Sequence, residues 1–263
     1  MEIVKRISLI LPTLFAVVFM YAAEPDFSAL KSKIYTSYMN QDIKSWKLVI
    51  DDFHRGSLSN IDSLDFILSV EYGYVAWCIS DSNSTNCEKY LDIAFSDLDK
   101  FDKKIEVVPI ETHLRKTLEA KYKSYYSALL AYQIKISPVR AIINGWKSVN
   151  NAKSAITEMP DCWFSQIEYG NVMHYMPTVL GGSNINAVNA YLKAIRLMES
   201  NSDKEIVNNN WLYLHAIICL ADAYKTIEDY ANVRKCYNKI LKVEPNYKWV
   251  RESLLPSLEH IGK

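Results

Sequence analysis

At 263 residues, 49% of them hydrophobic and 12% aromatic, the chain is long enough to bury a sizeable core. Its 30 basic and 30 acidic side chains cancel, and the pI lies near 6.9. Without a basic excess or stripe, a nucleic-acid partner is not expected, and no run of like charges marks a disordered tail.

Lys5-Arg6 precede an apolar run from Ile7 to Ala23, broken by Ser8, Pro12 and Thr13, and Ala22-Ala23 stand before Glu24-Pro25. A cationic start, a short apolar segment and small residues read as a secretory signal peptide over residues 1–23. The mature chain, 24–263, is then expected in the periplasm or secreted. The apolar run reaches the lower limit of a bilayer span, so a membrane anchor through residues 7–23 is the alternative. No second stretch is long and apolar enough to cross a bilayer, so no stable membrane insertion is expected after cleavage. No cysteine follows the run to carry a lipid.

The rest reads as helix, without a convincing alternating strand. Phe27 to Asn40 and Ile43 to His54 form a first pair, with Asp42 as a cap. Ile61 to Ile79 and Cys87 to Phe101 form a second, with Leu64, Leu68, Tyr72, Val75 and Ile79 on one stripe. Pro109 starts a long helix whose Ile110, Leu114, Leu118, Tyr122, Tyr125, Leu129 and Tyr132 keep helical spacing. Tyr126 lies off that stripe and is the aromatic most expected to be exposed. Ser137-Pro138 offer an N-cap and a first-turn proline for a helix carrying Val139, Ile142, Ile143, Trp146, Val149 and Ile156, ended by Met159-Pro160. Ser202-Asp-Lys-Glu205 has capping-box form ahead of the last hairpin, and Tyr247 to Ile261 remains as one terminal helix. No Gly/Ser- or Pro-rich linker divides the chain, so one domain follows the signal peptide.

Two stretches share a pattern. In the last, Ile217, Leu220, Ala221 and Tyr224 form one helical stripe and Tyr230, Val233, Tyr237 and Ile240 a second, with a turn at Ile227-Glu228-Asp229 between them and Pro245 as a stop. Between Trp163 and Ser200, Gly170 takes the close-contact role of Ala221, Gly181-Gly182 supply free φ angles for an enlarged turn, and Ser183 caps a helix with Ala187, Tyr191 and Ala194 at the spacing of Val233, Tyr237 and Ile240. This order resembles the tetratricopeptide repeat, best over 163–200 and 212–245, and is similar to divergent exported bacterial forms, including the T-component proteins of TRAP transporters. Val233 and Ile240 stand where that family usually has alanine, and Glu228-Asp229 where Gly-Asp is common. The resemblance implies an all-α, right-handed solenoid of antiparallel helix hairpins with a C-terminal capping helix.

If hairpins stack in register, residues one step around from the core stripe face an inner groove. Asn171, His174, His215, Asp222 and Lys225 are then expected to form a polar strip that holds a partner. Cys78 and Cys87 flank the turn of the second hairpin and are able to face each other as a disulfide or as two buried thiols, in a chain whose five cysteines exclude complete pairing. The five histidines fall in no His-Glu-x-x-His or related spacing, so neither a metal nor another cofactor is expected. Asp51-Asp52 and Asp97-x-Asp99 sit among lysines and read as solvated faces.

The leading expectation is an exported, non-enzymatic repeat scaffold that binds a protein or peptide partner in its concave groove. An alternative, implied by the resemblance, is an accessory T-component-like protein of a periplasmic solute uptake system. A lesser one is an all-helical toroid enzyme on glycans, which needs two carboxylates roughly 5–10 Å apart in a central cavity. Oligomeric state is left open.

Overall fold

A computed structural model describes residues 27–56, 60–81 and 84–260. The expected signal peptide, its expected cleavage site and the alternative anchor at 7–23 lie outside the described residues. Among the described residues ten long helices follow one another: α1 (Phe27–Asn40), α2 (Ile43–Arg55), α3 (Ile61–Ser80), α4 (Ser84–Glu106), α5 (His113–Ile136), α6 (Ala141–Glu158), α7 (Trp163–Tyr175), α8 (Asn184–Ser200), α9 (Trp211–Thr226) and α10 (Tyr230–Val243). The architecture is all-α, with no strand among the described residues. None of these helices is long and apolar enough to cross a membrane.

Side-chain caps set most of the starts. Asp42, Asn60, Thr112, Ser183 and Asp229 each accept from the amide three residues on, which satisfies one of the unpaired N–H groups of a first turn. Two expected starts move for this reason. Pro109 lies in a turn and α5 begins after Thr112. Ser202–Glu205 runs into a single 3₁₀ turn, Lys204–Ile206, while Asn210 accepts from Leu212 N and starts α9. Glu228 adopts φ 61, a left-handed conformation that glycine enters most freely.

After Tyr247 the chain stays helical but widens into a π turn over Val250–Leu254, where Leu255 N bonds Val250 O. Pro256 explains the widening. It has no N–H for the carbonyl four residues back and clashes with it, and an inserted residue relieves both problems.

Each helix packs against the next. Hydrogen bonds give the register: Ser127 with Ser148 and Gln133 with Asn144 run α5 antiparallel to α6, and Ser124 with Ser165 sets α7 beside α5. The odd-numbered helices therefore point one way and touch one another, α3 to α5, α5 to α7 and α7 to α9. At the ends of the series, α1 meets α9. Tyr38 lies against Trp211, His215 and Tyr247, and Tyr35 Oη donates to Glu244 at 2.5 Å.

The space inside these odd helices is filled by rings. Tyr72 touches Tyr132, Phe164 and Trp211, and Trp46 packs edge-on to Trp211 while its indole N–H donates to Val70 O. Each such buried ring contributes on the order of 1.5–3 kcal/mol. Two glycines make room for them. A Cβ on Gly73 would sit 2.7 Å from both Trp46 and Trp211, and one on Gly170 would sit 2.6 Å from the Tyr191 ring. The close-contact role expected of Gly170 is thus visible, against a tyrosine of α8. In the turn between α7 and α8, Gly181 has φ 101, but Gly182 serves closeness instead, its Cβ direction filled by the Met176 carbonyl.

Candidate functional site

Because the odd helices are parallel, the array has two unlike ends. At the end where they begin lies a cavity of about 410 Å³. Lys31 of α1, Asp62 and Asp65 of α3, Lys121 and Tyr125 of α5, Trp163 and Phe164 of α7, and Asn210 and Trp211 before and at the start of α9 line it. Lys121 Nζ donates to Asp65 at 2.5 Å and lies 5.9 Å over the Trp163 ring, and Tyr125 Oη donates to the same carboxylate. Burial opposes the ammonium charge, but Asp65 beside it prevails and Lys121 titrates above its ordinary value. None of these residues stood out in the sequence as a site. The available signal was that both α7 and α9 open on a tryptophan.

At the opposite end α5, α7 and α9 finish and α6, α8 and α10 begin. Here large apolar side chains face solvent: Val139, Ile142 (89% exposed), Ile143 and Trp146 (71%) around the start of α6, and Tyr175, Val179 (92%), Leu180 and Ile185 between α7 and α8. The stripe expected to bury Val139, Ile142, Ile143 and Trp146 faces outward instead. α6 presents Ser148, Ala152 and Ala155 to α5 and α7, because the Ser127–Ser148 bonds need a close crossing that bulky side chains would prevent.

Four of the five strip residues fall near this end, whereas His215 lies one turn into α9, beside Trp211. His174 and Asp222 come together: Nε2 is 3.1 Å from Asp222 Oδ2, and Nδ1 is 2.7 Å from Asn184 Oδ1. Asp222 raises the His174 pKa, and the same bond lowers that of Asp222. Lys225 is exposed one turn further along α9. Asn171 turns inward, donating to Glu168 at 2.8 Å and to Tyr72 Oη at 3.0 Å and accepting from Tyr191 Oη at 2.7 Å. Burial lifts the Glu168 carboxyl to about 7 against the bonds from Tyr72 and Asn171. His215 lies between Tyr38 and Trp211 with Cys219 3.4 Å away, and burial pushes its pKa down to about 4. Asn171 and His215 thus serve the interior, while His174, Asp222 and Lys225 reach the surface.

Cys78 and Cys87 stand on either side of the α3–α4 turn as buried free thiols, and burial raises Cys87 to about 11. Tyr126 is half-buried and stacks on Tyr122, with planes 10° apart. Asp97, expected on a solvated face, is fully buried, and its partner Lys100 covers it. Compared with known proteins, the chain matches no family model and no curated sequence.

Proposed function

We propose that the chain is an exported, non-enzymatic helical-repeat scaffold that holds a protein or peptide segment. In this reading its hairpins are tetratricopeptide-like units in a right-handed solenoid, wound so far that the first and last inner helices meet. The segment after Tyr247 then covers the last hairpin. Rings fill the inner groove, so the partner is held at the end where the inner helices finish, against the apolar rim and the His174–Asp222 pair with Lys225. The observation that carries the reading is the exposure of Val139, Ile142, Ile143, Trp146, Val179 and Leu180 together at that end, a larger group than Val107, Ile110 and Leu114 at the α4–α5 turn. Apolar surface gathered in this way marks interaction sites in soluble proteins.

The cavity at the other end favours a second reading, an accessory protein of solute uptake. About 410 Å³ suits a small organic solute rather than a protein, and Lys31, Lys121 and two tryptophans supply charge and stacking. Capture of partners from a periplasmic extract by the mature chain separates the two. Ile142→Ser with Trp146→Ala is expected to lose the partner, while Asp62→Lys at the cavity rim keeps it. Retention by both variants overturns the first reading, and loss by Asp62→Lys alone supports the second.

A further inference from the structure

Away from both ends, three helices bring His54 of α2, Glu71 of α3 and Asp97 of α4 to one point. His54 Nε2 lies 2.7 Å from Glu71 Oε1 and 3.3 Å from Asp97 Oδ2. One ligand atom from each residue falls within 4.8 Å of the other two. Both carboxylates are fully buried, whereas the His54 side chain is 25% exposed and forms the only partly open wall among the three. Lys100 Nζ holds Asp97 Oδ1 at 2.7 Å. That leaves Glu71 Oε2 and Asp97 Oδ2 buried without a hydrogen-bond partner.

Unpartnered carboxylate oxygens are costly to bury, more so when the group is charged. A single lysine does not neutralise two carboxylates. We propose that His54, Glu71 and Asp97 form a binding site for one divalent transition-metal ion of the zinc type, with water completing the shell on the open His54 side. One imidazole nitrogen and two carboxylate oxygens are a donor set that zinc accepts. Tetrahedral bonds of about 2.0–2.2 Å place neighbouring ligand atoms roughly 3.3–3.6 Å apart. The 3.3 Å His54–Asp97 separation already has that value, and the 2.7 Å His54–Glu71 hydrogen bond opens by less than an ångström when the metal replaces it. Lys100 acts as the outer partner that fixes the Asp97 carboxylate.

The competing arrangement is metal-free: Glu71 carries a proton and donates it to Asp97, which also satisfies both oxygens. Titration calorimetry of the untagged mature chain with zinc chloride decides between them, with thermal melting as a second readout. One zinc per chain and a raised melting point are expected. His54→Ala and Glu71→Gln are expected to weaken binding at least tenfold, and His54→Ala removes a partly exposed side chain from a helix end, so the fold survives. Cys78→Ser with Cys87→Ser controls for the nearby thiols and is expected to bind zinc as the parent does. No stoichiometric binding by the parent overturns the proposal in favour of the shared proton. Binding that persists in His54→Ala, or that disappears with the thiols alone, also overturns it.

Discussion

The two ends of the inner helices are built from the same residue types and do opposite things with them. At the end where these helices begin, tryptophans turn inward: Trp211 is buried against Trp46 and Gly73, and Trp163 leans over Lys121. At the end where they finish, Trp146 and its aliphatic neighbours turn outward. Helix spacing is the same in both places. What differs is the neighbour: Gly73 leaves a socket for one indole, whereas the serine-lined crossing of α5 and α6 leaves no space for the other. An aromatic residue is therefore a fold determinant at one end and surface at the other.

The strongest test of this contrast is a pair of tryptophan truncations. Trp211→Ala is expected to destabilise by ~3–5 kcal/mol through the cavity it leaves, and Trp146→Ala by less than ~0.5 kcal/mol. Denaturant midpoints of the two variants measure the difference, and equal losses would erase the distinction between the ends. Next in size, Gly170→Leu drives a side chain into the Tyr191 ring and is expected to cost ~1–3 kcal/mol. An unchanged thermal midpoint would mean that α7 and α8 separate freely.

Glu168 sharpens the comparison through pH, since it is the interior link between the ring-filled centre and the His174 end. Its folded pKa of about 7 stands above the unfolded carboxylate value. The native state therefore holds the extra proton between roughly pH 4.3 and 7, and stability falls as pH rises through that window. Glu168→Gln is expected to remove this slope, so that the variant gains ~1–3 kcal/mol over the parent at pH 8 and little at pH 4. Parallel melting curves for both proteins across that range would contradict the assignment.

The smallest effect belongs to the surface pair. His174 gains a partner and titrates above 6.5, so its contribution is full below that value and is lost as pH rises through its folded pKa. Asp222, held low by His174, contributes above about pH 4 and loses its effect as pH falls through its own lowered pKa. The pair acts between these limits. Because Asp222 is half exposed, Asp222→Asn is expected to cost only ~0.2–1 kcal/mol at pH 6. Nuclear magnetic resonance titration of His174 should show its pKa drop toward 6.5 in the variant.

Much of this molecule was legible in one dimension. Apolar residues at i, i+3, i+4 and i+7 placed α1, α2 and α3 within a residue or two of where they stand, and short polar residues at helix starts placed Asp42 and Ser183 as caps. These are local effects, governed by the period of the helix and by the first turn's own N–H groups, so the residues involved are close in sequence. The closeness of Gly170 to a second helix was legible for the same reason, through the matching spacing of two stretches.

Three-dimensional packing decided the rest. The spacing of Val139, Ile142 and Trp146 identifies a stripe but not what the stripe faces, and here the serines and alanines of α6 took the buried side. The polar strip divided because a residue one step from the core stripe is exposed only if nothing stands beyond it. Tyr72 and Tyr191 stand beyond Asn171, and Tyr38 of the far hairpin stands beyond His215. His54, Glu71 and Asp97 come from three separate helices, at spacings that match no linear motif. Their meeting depends on how α2, α3 and α4 cross, a property of side-chain volumes summed over whole interfaces. Sequence determined most of the helices and several of their caps, because those effects are local; the way the helices cross, at Ser127–Ser148 and where α1 meets α9, determined which of their faces remained free to act.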